Sequence, residues 1–355
     1  MKISICSLSV AAILAILSIY TEPAYAGKTL EAIKSKGKLA CGVNPGLQGF
    51  AAVDSQGNWT GIDVDVCKAV AAAVLSDANK VKWVPLNSVQ RFAALQSGEI
   101  DILSRNTTWT LTRDVSLGLN FTGATFYDGQ AFMVKKQKTD PVTKKTIGAN
   151  ITSVNQLKGA TVCVRSGTTT EKNLTDFSKA KGLNLKAVVY ESQEATDKAY
   201  FSGRCQAYTS DASNLASVRS AQASDPEDHV ILPERISKEP FSPSVRRGDD
   251  EFFAIVKWVV FALIEAEEYG ITQANVDELK ASSKDPAVQR ILGSGEDMGR
   301  LLGLDKDWAY RAIKAEGNYG EMFERNVGAK SPLKLTRGMN NLWNKGGLFY
   351  VPPVR

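Results

Sequence analysis

The chain has 355 residues, of which 43% are hydrophobic and 23% are charged, and its formal net charge is +5. This mild positive excess is not gathered into a stripe of Lys and Arg, which argues against a nucleic-acid-binding protein. The sequence holds a single histidine, His229, which we expect at the surface, and we expect neither a metal site nor a cofactor.

The first 26 residues are typical of a secretory signal peptide. Lys2 supplies a positive start, the stretch from Val10 to Tyr20 is almost continuously apolar, and Ala24 and Ala26 surround a cleavage point before Gly27. The alternative is an uncleaved membrane anchor, but the apolar run is shorter than the ~20 residues that span a bilayer. We therefore expect an exported, periplasmic protein that begins at Gly27.

Strand-like and helix-like segments alternate after the signal peptide. A turn with Gly57 lies among them, and alternation of this kind predicts parallel α/β packing. The predicted segments are a strand at Lys38–Val43, a helix at Val64–Leu75, a strand at Lys80–Pro85, a helix at Ser88–Ser97 and strands at Asp101–Leu103 and Gln130–Val134.

A polar, Lys-rich stretch at residues 135–145 marks a junction or an exposed excursion, and a second strand-helix series follows it. The parallel between the two series suggests two similar lobes. The predicted segments of the second series are a strand at Ala160–Val164, a helix at Thr169–Lys181, a strand at Ala187–Tyr190, a helix through Lys198 and a strand at Gln206–Thr209.

The last part of the chain begins with an extended segment, Glu239–Arg247, and an apolar helix, Phe252–Ala266, which is too short for a membrane span. The remainder is mostly helical in pattern. We expect it to pack against the first lobe.

Four cysteines remain once the signal peptide and Cys6 are removed, and an even number in an exported protein favours disulfides. Three pairings are possible. We favour Cys41 with Cys67 and Cys163 with Cys205, because each pair closes a loop within one half of the chain. The alternative is four buried free thiols.

Three segments that follow predicted strands carry groups suited to an α-amino acid. Arg113 and Thr108 suit a carboxylate, Ser166–Thr169 adds hydroxyls and amides, and Asp211 suits an ammonium group. Each has another explanation when taken alone. Arg113 could be a surface charge, and Thr168, Thr169 or Asp211 could cap a helix.

The sequence resembles the polar-amino-acid solute-binding proteins of bacterial ABC importers. The resemblance covers roughly residues 38–257 and depends on several motifs in order. These motifs are GNWTGIDVDVCKAVA from Gly57, ALQSGEIDIL from Ala94, SGTTTE from Ser166 and SGRCQAYTSDAS from Ser202.

The resemblance implies a periplasmic-binding-protein fold of type II, with two α/β lobes joined by two crossover hinge strands. On this basis we expect lobe 1 at residues 27–133, lobe 2 at 134–243, and the completion of lobe 1 with a C-terminal helical extension at 244–355. We also expect a monomer that delivers its ligand to an inner-membrane ABC permease.

By the same resemblance, Arg113 holds the α-carboxylate with Thr108 and Thr169. Asn106 and Asp211 receive the α-ammonium group. Phe50 corresponds to an aromatic position beside the ligand side chain, although a core phenylalanine is the other reading.

Specificity is expected at Arg91 and Gln193, which match side-chain contacts of the acidic-amino-acid subgroup. Asn44 and Gln193 stand where that subgroup has basic residues, so we predict broad specificity for Glu, Gln, Asp and Asn. We place Arg105 at the rim and leave Arg165 open. The overall match is most similar to the general L-amino-acid-binding subtype.

An exported enzyme on the same scaffold, similar to cyclohexadienyl or arogenate dehydratases, is the alternative function. Such chemistry needs a placed general acid or base. Glu171 is the one candidate, and its position in the first turn of a helix explains it better. The sequence therefore favours a binding protein over an enzyme.

Overall fold

The computed structural model describes residues 28–139, 142–144, 146–147 and 150–355, so the predicted signal peptide lies outside the described residues. Two five-stranded mixed sheets form the centre of the two lobes. Numbered along the chain, the strands are β1 (Leu39–Val43), β2 (Ala52–Val53), β3 (Trp59–Thr60), β4 (Val81–Pro85), β5 (Ile102–Leu103), β6 (Leu119–Phe121), β7 (Phe126–Asp128), β8 (Gln130–Lys135), β9 (Lys138–Thr139), β10 (Thr146–Ile147), β11 (Thr161–Arg165), β12 (Lys186–Tyr190), β13 (Ala207–Asp211), β14 (His229–Ile231), β15 (Glu239–Phe241) and β16 (Ser244–Arg246).

The first sheet has the order β4-β1-β5-β16-β6 and packs against α2 (Ile62–Leu75) and α3 (Arg91–Ser97), and α1 (Lys28–Lys36) contacts α2. Strand β1 pairs in parallel with β4 and β5, as the alternating pattern predicted. The turn into α2 depends on Gly61, which has φ +128° and no room for a side chain. A Cβ atom there would lie 2.2 Å from the Phe50 carbonyl oxygen.

The second sheet has the order β12-β11-β13-β8-β14, with parallel pairing of β11 to β12 and β13. Its helices are α4 (Thr169–Lys181), α5 (Gln193–Phe201) and α6 (Ala212–Gln222). Helix α4 has the bounds that the sequence predicted. Its first turn is capped by the Thr168 hydroxyl, and Gly182 ends it in the left-handed conformation.

The two lobes are connected by β7 and β15, which pair antiparallel, with Glu239 opposite Asp128. These are the two crossover strands that the resemblance implied. Strand β8 starts at Gln130 and pairs along its length within the second sheet, so the predicted lobe boundary between residues 133 and 134 falls inside a strand. The chain enters the second sheet earlier than we predicted.

The C-terminal part packs on the first lobe, as expected. It comprises α7 (Asp250–Glu268), α8 (Val276–Ser282), α9 (Pro286–Ile291), α10 (Trp308–Glu316) and α11 (Tyr319–Asn326), whose apolar faces share one core with α2. The segment after α11 also contacts β7, because the Asn340 side chain accepts from the Tyr127 amide at 2.6 Å and donates to its carbonyl at 3.0 Å. The extension thus contacts a crossover strand directly.

Both favoured disulfides are present, Cys41–Cys67 in the first lobe and Cys163–Cys205 in the second. Cys41 lies on β1 and Cys67 on α2, and Cys163 lies on β11. Each bond therefore links the central sheet of its lobe to a neighbouring segment.

The expectation of a surface histidine is wrong. His229 begins β14, is 7% exposed, and its Nδ1 lies 2.8 Å from the Tyr200 hydroxyl. The surrounding acidic residues suggested exposure, but the alternation along β14 turns this side chain toward Tyr200 and Phe201. Among the helices in the described part of the chain, none has the length and apolar character needed to cross a bilayer.

Candidate functional site

The predicted site residues follow the carboxyl ends of parallel strands in both sheets. Strand β5 leads into the segment with Asn106, Thr108 and Arg113, β11 leads into Thr168 and Thr169, and β13 ends at Asp211. Ligands of open α/β sheets bind at such ends, where loops and helix starts present free polar groups. The two crossover strands bring these ends together.

Arg113 is a buried, charged anchor. It is 7% exposed, its Nη1 donates to the Thr108 carbonyl oxygen at 2.8 Å, and its guanidinium lies over the Phe92 ring. Burial lowers the pKa of Arg113 to about 10, and the charges of Glu239 and Asp211 act against that lowering. The group therefore stays protonated at neutral pH and can hold an anion.

Thr108 and Thr169 meet across the two lobes. Their hydroxyl oxygens are 3.3 Å apart, and the Thr169 hydroxyl donates to Oε2 of Glu239 at 2.8 Å. The other oxygen of Glu239 accepts from Asn173 at 2.8 Å and from Ser237 at 2.6 Å. These contacts hold the start of α4 against the crossover strand β15.

Sequence reasoning missed Glu239. It is buried, and its charge acts on both Arg113 and Asp211. A signal was present, since an acidic residue stands before a proline in an otherwise apolar extended segment, EPF. Two of its partners, Thr169 and Asn173, are 70 and 66 positions away, so local sequence does not indicate them.

Thr168 serves mainly as a helix cap. Its hydroxyl accepts from the Glu171 amide at 3.1 Å and donates to the Arg165 carbonyl oxygen at 2.7 Å. The capping explanation is thus correct for Thr168. It is wrong for Thr169, which lies one residue inside the helix.

Asp211 does not cap the helix that follows it. It stands at the N-cap position of α6 but makes no capping hydrogen bond, and its Oδ1 has no hydrogen-bond partner among the described residues. Burial raises the pKa of this carboxyl well above its usual range, and the charges of Glu239 and Asp128 raise it further. A cationic ligand group beside it would restore the ionised form.

Asn106 adopts an uncommon backbone conformation with φ +32°. Its amide donates to Oδ2 of Asp63 at 2.8 Å, and its side-chain oxygen accepts from Asn44 at 3.2 Å. Burial raises the pKa of Asp63 to about 7, while the bond from Asn106 and the charge of Arg105 act against this. Asn44 thus orients the Asn106 side chain.

Three further arginines are buried near Arg113. Arg91 donates to Thr107 at 3.3 Å and reaches the Gly167 carbonyl of the other lobe at 3.5 Å. The rim position expected for Arg105 is wrong, because it is 1% exposed and donates to the Leu86 carbonyl at 2.8 Å. Arg165, left open by the sequence, is also buried.

Gln193 and Phe50 have contacts that the resemblance did not imply. The amide nitrogen of Gln193 donates to Asp197 at 2.7 Å and Tyr208 at 2.8 Å, and its oxygen accepts from Arg165.

Phe50 is 1% exposed and packs edge-on against Phe126 and Phe241. These contacts support the interpretation of Phe50 as a core residue.

The candidate general acid, Glu171, accepts from the Gly167 amide at 2.9 Å. It thus binds the turn that leads into α4, from its own position in the first turn of that helix. Among the described residues, no group of three or more His, Cys, Asp or Glu side chains is placed to hold a metal ion. The fold and these contacts define a two-lobed binding protein, with buried cations and carboxylates where the lobes meet.

The chain belongs to the bacterial extracellular solute-binding proteins, family 3, whose model matches residues 39–275. It is 56% identical to the general L-amino acid-binding periplasmic protein AapJ of Rhizobium johnstonii, over 92% of this chain and 93% of that protein. It is 50% identical to the glutamate/glutamine/aspartate/asparagine-binding protein BztA of Rhodobacter capsulatus, over 94% and 95%.

A solved structure is also similar over nearly its whole length. It is described as an ABC transporter periplasmic binding protein from Brucella ovis with glutathione bound, and it matches with 54% identity and a TM-score of 0.86. The match covers 92% of this chain and 99% of that chain. These relatives are named as binding proteins, so the chain is a solute-binding protein and not an enzyme. The family and relatives imply a periplasmic location.

Proposed function

We propose that this protein binds polar L-amino acids, among them glutamate, glutamine, aspartate and asparagine, and delivers them to an ABC permease. The observation that carries the proposal is the pairing of opposite charges in one site. Arg113 offers N–H groups to an α-carboxylate, and Asp211 offers a carboxylate oxygen that has no partner among the described residues. An α-amino acid is the small molecule that carries both complementary charges.

In the proposed complex, the hydroxyls of Thr108 and Thr169 complete the carboxylate shell, with the Thr169 hydroxyl turning from Glu239 to the ligand, and Asn106 supports the ammonium group. The two threonines come from different lobes and lie 3.3 Å apart. A carboxylate between them would bridge the lobes. We propose that ligand binding favours the closed arrangement about β7 and β15, and that the permease recognises this arrangement.

The names of the relatives support the same class of ligand. One relative is named as a general L-amino acid-binding protein, and another is named for the two acidic amino acids and their amides. We further propose that the mature chain starts at Gly27 after signal-peptide cleavage and acts as a monomer. Mass spectrometry and light scattering of protein exported in its host test these two points.

A calorimetric screen of the twenty common amino acids tests the proposed function. We expect binding of glutamate, glutamine, aspartate and asparagine, and compaction in small-angle scattering when any of them saturates the protein. Arogenate and prephenate serve as controls for the enzymatic alternative. Turnover of either compound without amino-acid binding would overturn the proposal.

A further inference from the structure

The C-terminal extension holds one of the two crossover strands. Residues 276–355 lie beyond the segment that the family model matches, and they include Asn340, which is 5% exposed. The Asn340 side chain accepts from the Tyr127 amide at 2.6 Å and donates to the Tyr127 carbonyl oxygen at 3.0 Å. One side chain thus binds both backbone groups of a residue in β7, as a neighbouring strand would.

The register of β7 and β15 explains why the outer edge of β7 is open to Asn340. Among the described residues these strands form a sheet of two, and Tyr127 lies opposite Pro240. Both backbone groups of Tyr127 point away from β15 toward Asn340, so the pair has no mutual hydrogen bonds. Pro240, which has no N–H, suits such a position. Without Asn340, the Tyr127 amide and carbonyl would lose these partners.

Aromatic side chains of the first lobe extend this attachment. Tyr319, the first residue of α11, donates its hydroxyl to the Thr125 carbonyl oxygen at 2.9 Å, just before β7. The Phe349 ring packs on the Tyr127 ring, with centroids 5.2 Å apart, and on the Tyr319 ring at 4.5 Å. Strand β7 is therefore attached to the first lobe as far as Tyr127.

Asn340 is itself anchored to the first lobe. Its amide donates to the Arg337 carbonyl oxygen at 2.7 Å, and Nε of Arg337 donates to the Asn340 carbonyl oxygen at 2.9 Å. Nη2 of Arg337 donates to Oε2 of Glu267 in α7 at 3.0 Å, and both side chains of this ion pair are at most 14% exposed. The position of Asn340 is therefore fixed by a core helix of the first lobe.

The boundary between the lobes falls at the same step of the register in both crossover strands. On the first-lobe side, Tyr127 is bound by the extension, and the Pro240 carbonyl oxygen accepts from the Trp109 amide at 2.8 Å. On the second-lobe side, Asp128 lies opposite Glu239. Asp128 caps α6, and Glu239 binds side chains of α4. Adjacent residues of each crossover strand thus belong to different lobes.

We propose that Asn340 is a positioning residue for ligand binding, which fixes Tyr127 to the first lobe. The lobes then close by bending at one place, between the pair Tyr127–Pro240 and the pair Asp128–Glu239. This inference rests on the proposed function, because it concerns the closure that accompanies amino-acid binding. Confining the bend to one step reduces the conformational entropy lost on closure, which strengthens the binding of every ligand equally.

Calorimetry and a distance measurement on Asn340→Ala test the positioning role. We expect glutamate and glutamine to bind about threefold to tenfold more weakly, by the same factor, because the substitution loosens the hinge and leaves the site intact. Electron paramagnetic resonance between spin-labelled noncanonical residues at the exposed positions Lys82 and Lys186 measures the lobe-to-lobe distance. The ligand-free variant should show a broader distance distribution than the wild type. An unchanged affinity or an unchanged distribution in folded Asn340→Ala would overturn the proposal.

Hydrogen exchange locates the bend. In the wild type, the Tyr127 amide should be equally protected with and without saturating glutamate, because it belongs to the first lobe in both states. In Asn340→Ala it should exchange at least about tenfold faster in both states. If glutamate increases the protection of Tyr127 in the wild type, the bend includes Tyr127 and the proposal is overturned.

A milder variant keeps the proposal testable if Asn340→Ala does not fold. Asn340→Asp retains an acceptor for the Tyr127 amide and removes the donor to the Tyr127 carbonyl oxygen. It should weaken glutamate and glutamine by one common factor, smaller than that expected for Asn340→Ala. Wild-type affinity in folded Asn340→Asp, where Asn340→Ala does not fold, would overturn the positioning role.

Asn275→Ala is the matched control. Asn275 also bridges an amide and a carbonyl, accepting from the Thr272 amide at 2.7 Å and donating to the Gly270 carbonyl oxygen at 3.0 Å, but it lies just before α8. Its substitution should lower the midpoint of urea unfolding and change affinity less than about twofold. Equal losses of affinity in Asn275→Ala and Asn340→Ala would indicate general destabilisation and overturn the positioning role.

Two different failures can be told apart. If the folded wild type binds none of the twenty amino acids, the proposed function fails and the positioning role with it. If the wild type binds glutamate and glutamine but Asn340→Ala weakens only one of them, the function stands, Asn340 acts on the site itself, and the hinge role is overturned. Circular dichroism of each variant ensures that only folded protein is compared.

Discussion

Asp128 caps helix α6, although Asp211 is the residue at the N-cap position of that helix. Oδ2 of Asp128 accepts from the Ser213 amide at 3.1 Å, and Oδ1 accepts from the Gly129 amide at 2.7 Å. Because the crossover strand supplies this cap, the Asp211 carboxylate is not used for capping. The site gains a buried acid at the expense of stability in the ligand-free protein.

Asp211→Asn should abolish amino-acid binding and raise the stability of the ligand-free protein by about 1–3 kcal/mol at neutral pH. The pKa of Asp211 is raised in the folded state. Between the unfolded and folded pKa the native state holds a proton that the unfolded chain has lost, so stability falls as pH rises through that range. Thermal unfolding against pH should show a smaller fall in the variant.

Asp128→Ala is the matched control for this effect. It leaves the amides of Ser213 and Gly129 without acceptors and should lower the free energy of unfolding by about 1–2 kcal/mol. Opposite signs for the two variants are expected. A decrease in stability for Asp211→Asn of the same size would mean that Asp211 has a structural role.

Arg113→Ala should abolish binding of every amino acid, because it leaves the α-carboxylate buried and unpaired at a cost of about 2–5 kcal/mol. Arg91→Ala should weaken glutamate and aspartate while glutamine and asparagine keep their affinity. Calorimetry of the four ligands on both variants measures the difference. Equal losses for all four in Arg91→Ala would refute a side-chain contact by Arg91.

His229 should make the protein less stable in mild acid. Burial lowers the pKa of His229, and the charges of Lys135 and Arg219 lower it further while Asp228 and Asp225 oppose this. The unfolded chain then takes up the proton first, so stability falls as pH drops below the ordinary histidine pKa, ~6.5. His229→Gln should reduce this fall in urea unfolding measured at pH 7.5 and 5. An unchanged fall would show that other groups cause it.

The two disulfides should contribute comparable stability to different lobes. Their sequence separations are 26 and 42. The loop-entropy model gives about 3.5 kcal/mol for Cys41–Cys67 and about 4 kcal/mol for Cys163–Cys205. Replacing each pair with alanine and measuring urea unfolding under oxidising conditions tests this. No change in the midpoint for a pair would mean that this bond is not formed in the isolated protein.

The sequence predicted most elements because strand and helix periodicity is local. Helix α4 was predicted with its observed bounds, and both disulfides were predicted because each pair lies within one half of the chain. The environments of Arg105, Gln193 and His229 could not be predicted in this way. Their environments include partners 15 to 29 positions away, in the Gln193–Tyr208, Arg105–Leu86 and His229–Tyr200 contacts. Tertiary packing decides which of these residues meet.

The sequence indicated candidate site residues, but it did not indicate the hydrogen bonds around them. Thr108 and Arg113 follow β5 in the first sheet, whereas Thr169 follows β11 and Asp211 ends β13 in the second sheet. Their role in ligand binding stays a prediction. The capping of α6 by Asp128 could not be predicted, because Asp128 lies on β7, 85 positions from Ser213. Local sequence shows which residues can cap a helix, but not which one reaches its first turn.

We propose that the site holds both charged groups of an α-amino acid. Calorimetric titration with L-glutamate, glutarate and γ-aminobutyrate tests it most directly, because glutarate lacks the ammonium group and γ-aminobutyrate lacks the α-carboxylate. We predict that glutamate binds and that neither analogue binds measurably, since each leaves Asp211 or Arg113 unpaired. Binding of glutarate or γ-aminobutyrate as tight as that of glutamate would show that the site does not require both charged groups.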